Sequence, residues 1–252
     1  MTPLSVAIIT FNEETNISRC LNSVKNLADE IVIVDSFSTD RTKDICMQFG
    51  AKFIQHRFEG YIEQKNFALN QTSHAHVLLL DADEALSTEL QEAILKVKEN
   101  NFPIDAYGMN RCTNYCGKFI RHGLWYPDRK LRLINKKAGK WGGVNPHDKI
   151  ELKPNSSVKY LYGDILHYSY NSIQEHVVQN EKFSSISADS LYLQGKRTNP
   201  LKIILSPAWA FMNGYFLRLG FLDGYYGWVI AVKVSQLTFL KHSKLYLKKK
   251  KK

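Results

Sequence analysis

The chain has 252 residues, of which 44% are apolar and 23% are charged. This composition excludes a disordered, collagen-like or coiled-coil protein, and the length suffices for one domain with an appendage. The net charge is +10, but the five lysines at 248–252 supply half of it. No basic motif accompanies the remaining charge, so we expect no nucleic acid as a partner.

The first hundred residues alternate short apolar runs with helical patterns, which predicts repeated βα units and a mainly parallel sheet. The N-terminus has no basic stretch before its apolar run, so we expect no secretory signal and a cytoplasmic protein. Thr88 and Gln91 form a capping box that opens the last helix of this half. The predicted strands are 4–10, 30–35, 52–55 and 77–80, and the predicted helices are 17–24, 40–50, 64–69 and 88–97.

The pattern changes after Pro103, where strands at 107–110, 130–134 and 149–152 alternate with loops rich in glycine and aromatic residues. Ser172 and Glu175 form another capping box, opening a helix that runs to Leu193. We therefore predict an α/β domain and a separate helical C-terminal segment. The predicted divisions are a domain at 1–199, with halves 1–102 and 103–199, and the segment 200–252.

Residues 203–217 carry no charge but are interrupted by Pro207. A bilayer-crossing helix needs about twenty apolar residues, so this run is too short to span a membrane. Aromatic and basic residues occur together between 202 and 244, which is typical of a segment lying in the membrane interface. We expect peripheral attachment to the inner face of a membrane; the alternative is a helical hairpin packed on the domain or on another subunit.

Polar residues follow three of the predicted strands, in the sequences TFNE, DSFSTD and DAD. Ligands of open α/β sheets bind beyond the carboxyl ends of the strands, so three such ends predict a site. Asp81 and Asp83 are placed to address one hard cation, Mg²⁺ or Mn²⁺, which commonly holds a diphosphate. Lys65 would add positive charge to that diphosphate; the alternative is a solvated surface lysine.

The motifs TFNEE at 10–14, VDSFSTDRT at 34–42 and LLLDADE at 78–84 resemble those of family 2 inverting glycosyltransferases. Four later motifs are similar to the lipopolysaccharide inner-core glucosyltransferase branch: WYPDRKLRLI at 125–134, GGVNPHDKIEL at 142–152, LHYSY at 166–170 and GFLDGYYGW at 220–228. The resemblance implies a GT-A-type nucleotide-sugar fold and a nucleoside-diphosphate sugar as donor, with a UDP-sugar expected. It also implies a saccharide or glycolipid acceptor.

The resemblance also implies residue roles. It gives Thr10, Asn12 and Glu14 to the nucleotide pocket, Asp35 to the base, Asp40 to support of the second loop, and Asp81 with Asp83 to the DXD element for ribose and metal.

An inverting transfer requires a general base that removes the proton of the acceptor hydroxyl. Asp148 is the candidate, although related chains often carry His-Glu where this chain has His147-Asp148, and aspartate has a shorter reach. His147 is a candidate for orienting the metal or the diphosphate. The alternatives are a structural histidine and a turn aspartate after Pro146.

Three further residues are candidates for holding the acceptor. Arg129 and Arg132 offer bidentate forks for an anionic acceptor or a phosphate, and Trp125 offers a ring for a sugar. The alternatives are a solvated basic edge for the arginines and core packing for the tryptophan.

The sequence therefore favours an inverting, metal-dependent transferase moving a hexose, by resemblance glucose, in cell-envelope polysaccharide or lipopolysaccharide core synthesis. A sugar nucleotidyltransferase is one alternative, but it would carry a glycine-rich basic loop after the first strand, where this chain has the acidic FNEETN. A non-catalytic peripheral membrane adaptor is the other alternative.

Overall fold

The computed structural model describes residues 1–144 and 147–250, apart from the side chains of residues 147, 249 and 250. The chain divides into two compact units. Unit 1 comprises Met1–Arg111 and Asp128–Tyr168, and unit 2 comprises Cys112–Pro127 and the chain from Ser169 onward. The predicted domain division at residue 199 stays a prediction.

The elements follow the chain in this order. The strands are β1 Leu4–Thr10, β2 Glu30–Asp35, β3 Lys52–Gln55, β4 His76–Asp81, β5 Glu84–Leu86, β6 Ala106–Tyr115, β7 Lys118–Phe119, β8 Asp128–Asn135, β9 Gly139–Val144, β10 His147–Leu152 and β11 Val158–Tyr170. The helices are α1 Ile17–Val24, α2 Thr42–Gln48, α3 Tyr61–Asn70, α4 Thr88–Glu99, α5 Ile173–Leu193, α6 Pro200–Met212 and α7 Gly224–Lys250.

The main sheet is mixed, which corrects the expectation of a mainly parallel one. Its strand order is β3-β2-β1-β4-β8-β6-β11-β5. The pairs among β3, β2, β1 and β4 are parallel, whereas β4–β8, β8–β6 and β11–β5 are antiparallel. The βα pattern thus describes the first half of unit 1, and antiparallel strands extend the sheet in the second half.

The alternation of apolar residues along the parallel strands supplies a core on each face of the sheet. Val6 and Ile8 pack in one cluster with residues of α1 and α4, while Ala7 packs in the other with residues of α3. The second cluster also includes Trp141 and Ile150 of a separate hairpin formed by β9 and β10. Both faces of the sheet are therefore covered along its parallel strands.

Both predicted capping boxes mark the start of a helix, one of them with a shift of one residue. Ser172 accepts a hydrogen bond from the backbone N of Glu175 at 3.2 Å, and α5 ends at Leu193 as predicted. The cap of α4 is Ser87 and not Thr88, because the Ser87 hydroxyl accepts from the backbone N of Leu90 at 3.3 Å.

Unit 2 is helical, and α7 packs against both α5 and α6. Helix α6 continues through Pro207, and a π-helical turn at Asn213–Leu217 and a 3₁₀ turn at Gly220–Asp223 lead into α7. Within the part of the chain that the structure describes, no helix is both long enough and apolar enough to cross a membrane.

Candidate active site

The strand register brings three predicted site residues together at one edge of the sheet. Thr10 pairs with Asp35, and Ile9 pairs with Asp81, so β1, β2 and β4 end side by side. Thr10 is buried, and its Oγ1 has no hydrogen-bond partner among the described residues. Asp35 is fully buried and accepts hydrogen bonds from the backbone N of Ser38, at 2.8 Å, and from the Ser38 hydroxyl.

The loops that follow β1 and β2 are tied to each other. The backbone N of Asn12 donates to Ser38 Oγ at 2.8 Å, and Asn12 Oδ1 accepts from the backbone N of Thr39 at 2.8 Å. The backbone N of Glu14 donates to Asp40 Oδ2 at 3.1 Å. Asn12 also holds a left-handed φ of 53°, which is uncommon outside glycine and is frequent at ligand sites. These hydrogen bonds between the two loops form a polar rim at the ends of β1 and β2.

A buried ammonium group connects this edge to the β9–β10 hairpin. Lys65 Nζ lies 2.9 Å from Asp81 Oδ1 and 2.9 Å from Asp148 Oδ2. The lysine side chain is only 7% exposed, and the Asp148 side chain is 13% exposed. Lys65 is therefore not a solvated lysine, and Asp148 lies in strand β10 and not in a turn.

Arg132 forms the other cationic wall of this cluster. Its Nη2 lies 3.3 Å from Asp81 Oδ2 and 2.9 Å from Glu84 Oε1, and its side chain is 4% exposed. Within the described residues, its Nε and Nη1 have no hydrogen-bond partner. Both cations lie over the ring of Trp141, Lys65 Nζ at 4.4 Å and Arg132 Cζ at 5.2 Å from its centroid. Arg132 is thus buried among carboxylates and is not a solvated edge.

The charges of the cluster fix one another. Burial alone favours neutral Asp81, but Lys65 and Arg132 outweigh it and hold the pKa of this carboxyl well below its usual value. Burial likewise opposes the charge of Arg132, whereas Glu84 and Asp81 raise the pKa of its guanidinium. Asp81 and Arg132 therefore remain ionised at neutral pH.

Asp83, two residues further on, faces a histidine. Its Oδ2 lies 3.1 Å from Nε2 of His167, on β11, and the side chains are 27% and 18% exposed. No lysine or arginine among the described residues pairs with Asp83. The two carboxylates of the DAD sequence therefore differ: Asp81 is ion-paired with Lys65 and Arg132, whereas Asp83 faces the imidazole of His167.

The remaining predicted residues lie elsewhere. Arg129 is exposed in unit 1, with its guanidinium 5.0 Å from the ring centroid of Tyr160. Trp125 belongs to an aromatic cluster of unit 2 and stacks on Tyr170, with 5.5 Å between ring centroids. The side chain of His147 lies outside the described residues.

Comparison with known proteins identifies the family. The model of Glycosyl transferase family 2 matches residues 5–152. A glycosyltransferase of Rickettsia typhi is 34% identical over 97% of this chain and 87% of its own length. The chain belongs to glycosyltransferase family 2.

Two further similarities accompany this assignment. The lipopolysaccharide core biosynthesis glycosyltransferase LpsC of Rhizobium meliloti is 30% identical over 97% of this chain and 92% of its own length. The crystal structure of residues 1–349 of S. aureus TarS has a TM-score of 0.46 at 17% identity, covering 96% of this chain and 91% of that one. That structural similarity is too low to add to the assignment.

Membership in this glycosyltransferase family confirms the resemblance seen in the motifs, and it speaks against a sugar nucleotidyltransferase. Sequence reasoning assigned no role to His167 or Glu84. His167 lies in the quoted motif LHYSY, and Glu84 closes the quoted motif LLLDADE. Asking which histidines fall inside glycosyltransferase motifs would have found the first.

The side chains around Asp83 are of the kind that binds a divalent cation. Mg²⁺ commonly binds through one or two carboxylates plus substrate phosphates, and carboxylate oxygens also suit Mn²⁺. Burial raises the pKa of the Glu13 carboxyl, and the nearby carboxylates of Asp83 and Asp40 raise it further, which indicates a negative local field. Among the described residues, however, no three His, Cys, Asp or Glu side chains are grouped to hold a metal ion by themselves. The protein would supply two ligands and leave the others to substrate and water.

Proposed function

We propose that this glycosyltransferase moves a hexose, with inversion, from a nucleoside-diphosphate sugar to a saccharide or glycolipid of the cell envelope. UDP-glucose is the first donor to test. The observation that carries the proposal is the cluster at the carboxyl edge of the sheet, where Lys65 pairs with Asp81 and Asp148, and Asp83 faces His167. The similarity to a relative named for lipopolysaccharide core biosynthesis supports the choice of acceptor class.

In this proposal the donor lies along the rim formed by the β1 and β2 loops. Thr10, Asn12, Glu14 and Asp35 would contact the nucleoside, and Asp40 would hold the two loops together through its bond to the backbone of Glu14. The unpartnered Oγ1 of Thr10 supports a ligand here, because buried polar atoms are rarely left without hydrogen bonds.

Asp83 and His167 would hold the divalent ion. When bound, Mg²⁺ or Mn²⁺ supplies positive charge that stabilises a departing diphosphate. Arg132 contributes from the protein side by keeping Asp81 ionised and in place. His167 is the proposed second ligand because its Nε2 lies 3.1 Å from Asp83 Oδ2. The side chain of His147, the ligand expected from the sequence, lies outside the described residues.

Asp148 would be the general base. Its Oδ2 is held by Lys65, and its Oδ1 has no hydrogen-bond partner in the described part of the chain. Asp148 removes the proton of the acceptor hydroxyl while that oxygen attacks the anomeric carbon. The bond from that carbon to the diphosphate oxygen breaks, the electron pair leaves with the nucleoside diphosphate, and the configuration inverts.

A donor screen tests this function. The full chain is incubated with individual nucleotide sugars and Mg²⁺ or Mn²⁺, and the release of nucleoside diphosphate is measured with and without saccharide acceptors. We expect one UDP-sugar to be turned over, faster with acceptor than without. Turnover of no nucleotide sugar under any of these conditions would contradict the proposal.

We further propose that unit 2 attaches this enzyme to the inner face of a membrane. Large apolar side chains are exposed between residues 201 and 232, and Lys202 and Arg218 lie exposed among them. Exposed aromatic and basic residues together favour an anionic interface. The exposed apolar side chains include Leu201, Ile204, Leu205, Trp209, Met212, Phe216, Leu217, Phe221, Leu222, Tyr225 and Trp228.

Flotation with anionic vesicles tests the attachment. We expect the protein to float with the vesicles and salt to weaken binding only in part, because screening acts on charge and not on apolar burial. The double variant Trp209→Ser and Trp228→Ser should stay at the bottom of the gradient. Leu193→Ser, on a leucine that is 85% exposed outside this surface, is the matched control. A wild-type chain that never floats would point to a subunit interface.

A further inference from the structure

We propose that Lys65 is a positioning residue that holds the carboxylate of Asp148 beside Asp81, and is not a ligand of the donor phosphates. The inference rests on the proposed function, in which Asp148 is the base. Its foundation is one ammonium group with two carboxylate partners, Asp81 at 2.9 Å and Asp148 at 2.9 Å. The short contacts and the deep burial of Lys65 leave its charge committed to these two side chains.

The hairpin that carries Asp148 depends on α3 for its position. Strands β9 and β10 pair with each other in a small sheet of their own. Asn66 binds the hairpin backbone reciprocally, donating from Nδ2 to the carbonyl of Trp141 at 2.9 Å and accepting at Oδ1 from the Trp141 N at 3.0 Å. Lys65 and Asn66 are adjacent, so one turn of α3 holds both strands of the hairpin. It binds β9 through the backbone of Trp141 and β10 through the carboxylate of Asp148.

The charge balance explains why the ammonium group matters. Without it, the carboxylates of Asp81 and Asp148 would face each other across a largely buried space with one cation fewer between them. Removing one member of a buried ionic group leaves uncompensated charge and is strongly destabilising locally. Arg132 remains beside Asp81, so Asp148 is the partner that loses its only ion pair among the described residues.

The kinetic test compares Lys65→Met with Lys65→Arg. If Lys65 acts through Asp148, Lys65→Met should lower kcat for transfer by about 10²–10⁴-fold, the range of a lost general base, and leave the donor KM nearly unchanged. Lys65→Arg keeps a cation that can bridge two carboxylates, so it should recover part of the loss. A raised donor KM with unchanged kcat would make Lys65 a phosphate ligand and overturn the inference.

A double variant and a matched control sharpen the result. Lys65→Met combined with Asp148→Asn should be no slower than Asp148→Asn alone, because residues that act as one unit are not additive. Losses that multiply would contradict the inference. Lys98→Met is the control: this lysine is also buried and ion-paired, to Asp29 at 2.6 Å on another face of unit 1, so its loss should leave transfer unchanged.

Amide hydrogen exchange tests the same inference without any substrate. Backbone amides of β9 and β10 should exchange faster in Lys65→Met than in the wild type, and at the wild-type rate in Lys98→Met. Asp148→Asn breaks the same ion pair from the other side and serves if Lys65→Met does not fold. Unchanged exchange in the hairpin would refute the positioning role. A wild-type protein that turns over no donor would instead refute the proposed function.

Discussion

Each unit of the molecule contains a distinctive buried cluster, which is ionic in unit 1 and aromatic in unit 2. Unit 1 buries charge: Lys65, Glu84 and Arg132 lie at the carboxyl edge of the sheet and are almost inaccessible to solvent. Unit 2 buries aromatic rings, with Tyr115 at the centre of a cluster that includes His176. Buried charge weakens stability unless each ion is compensated. The ionic cluster of unit 1 therefore points to chemistry, and the aromatic cluster of unit 2 to packing.

Close contacts between glycine backbones are a second feature of unit 2. A Cβ on Gly227 would lie 1.8 Å from the carbonyl oxygen of Gly220, and one on Gly220 would lie 2.6 Å from that of Gly214. These backbones therefore touch with no side chain between them. Unit 2 obtains its close packing from small residues, and its larger apolar side chains are left on the surface from 201 to 232.

The largest expected effect is on the base in the charged cluster of unit 1. Asp148→Asn keeps the shape of the side chain but cannot accept a proton, so transfer should fall by about 10²–10⁴-fold while donor binding holds. Initial rates and calorimetry with nucleoside diphosphate measure the two quantities. Asp105→Asn, on a carboxylate of unit 1 that binds Ser157, is the control. Full activity in Asp148→Asn would move the base to another carboxylate.

The second effect separates the two aspartates of the DAD sequence. Asp83→Ala removes a proposed metal ligand, so the tightening of nucleoside diphosphate binding by Mn²⁺ should fall by about 100-fold or more. Asp83 keeps no lysine or arginine partner among the described residues, so unit 1 should stay folded. Calorimetry with and without Mn²⁺ gives the answer. A metal effect that survives the substitution would remove Asp83 from the site.

Much of unit 1 was predictable because its signals are local. The bounds of β1, β2 and β3 agree with the apolar runs, and the three polar strand ends do meet at one edge. Periodicity and turn residues within ten positions decide such elements. The same reasoning placed Asp81, Asp83 and Lys65 at that edge, but not His167, which lies 84 residues from its partner Asp83 in the chain.

Elements that depend on tertiary context were missed. Strand β9 reads GKWGGV, and its glycines predict a loop, yet a Cβ on Gly139 would lie 2.9 Å from the backbone carbonyl oxygen of Glu151 on β10. The glycine is thus required by its partner strand and not by a turn. Strand β11, the longest one, was also missed because VKYLYGDILHYSY has no steady alternation of apolar and polar residues.

The third prediction probes the close packing of unit 2. Gly227→Ala places a methyl group against the Gly220 carbonyl, and overpacking of this kind typically costs about 1–3 kcal/mol. Urea unfolding followed by circular dichroism measures the loss. Val178→Ala changes an exposed side chain of α5 and should alter stability by less than about 0.5 kcal/mol. Equal stability of Gly227→Ala and wild type would show that the helices separate easily at this point.

The last prediction concerns the titratable group in the aromatic cluster of unit 2. His176 is 2% exposed, and its Nδ1 lies 3.0 Å from the Tyr115 hydroxyl. Burial, with a contribution from Lys233, lowers the pKa of His176 to about 4, against about 6.5 for a free histidine. Between these values the unfolded chain binds a proton that the folded chain does not.

The folded state should therefore lose stability as the pH falls from 6.5 towards 4, by up to about 1.4 kcal/mol per pH unit from this group. His176→Gln removes the titration, so below pH 6.5 its free energy of unfolding should fall less steeply than that of the wild type. Urea unfolding at pH 7, 6 and 5 compares the slopes, with His74→Gln, a half-buried histidine of unit 1, as the control. Parallel slopes for wild type and His176→Gln would mean that water reaches His176. The aromatic cluster of unit 2 would then not be dry, and its contrast with the ionic cluster of unit 1 would not hold.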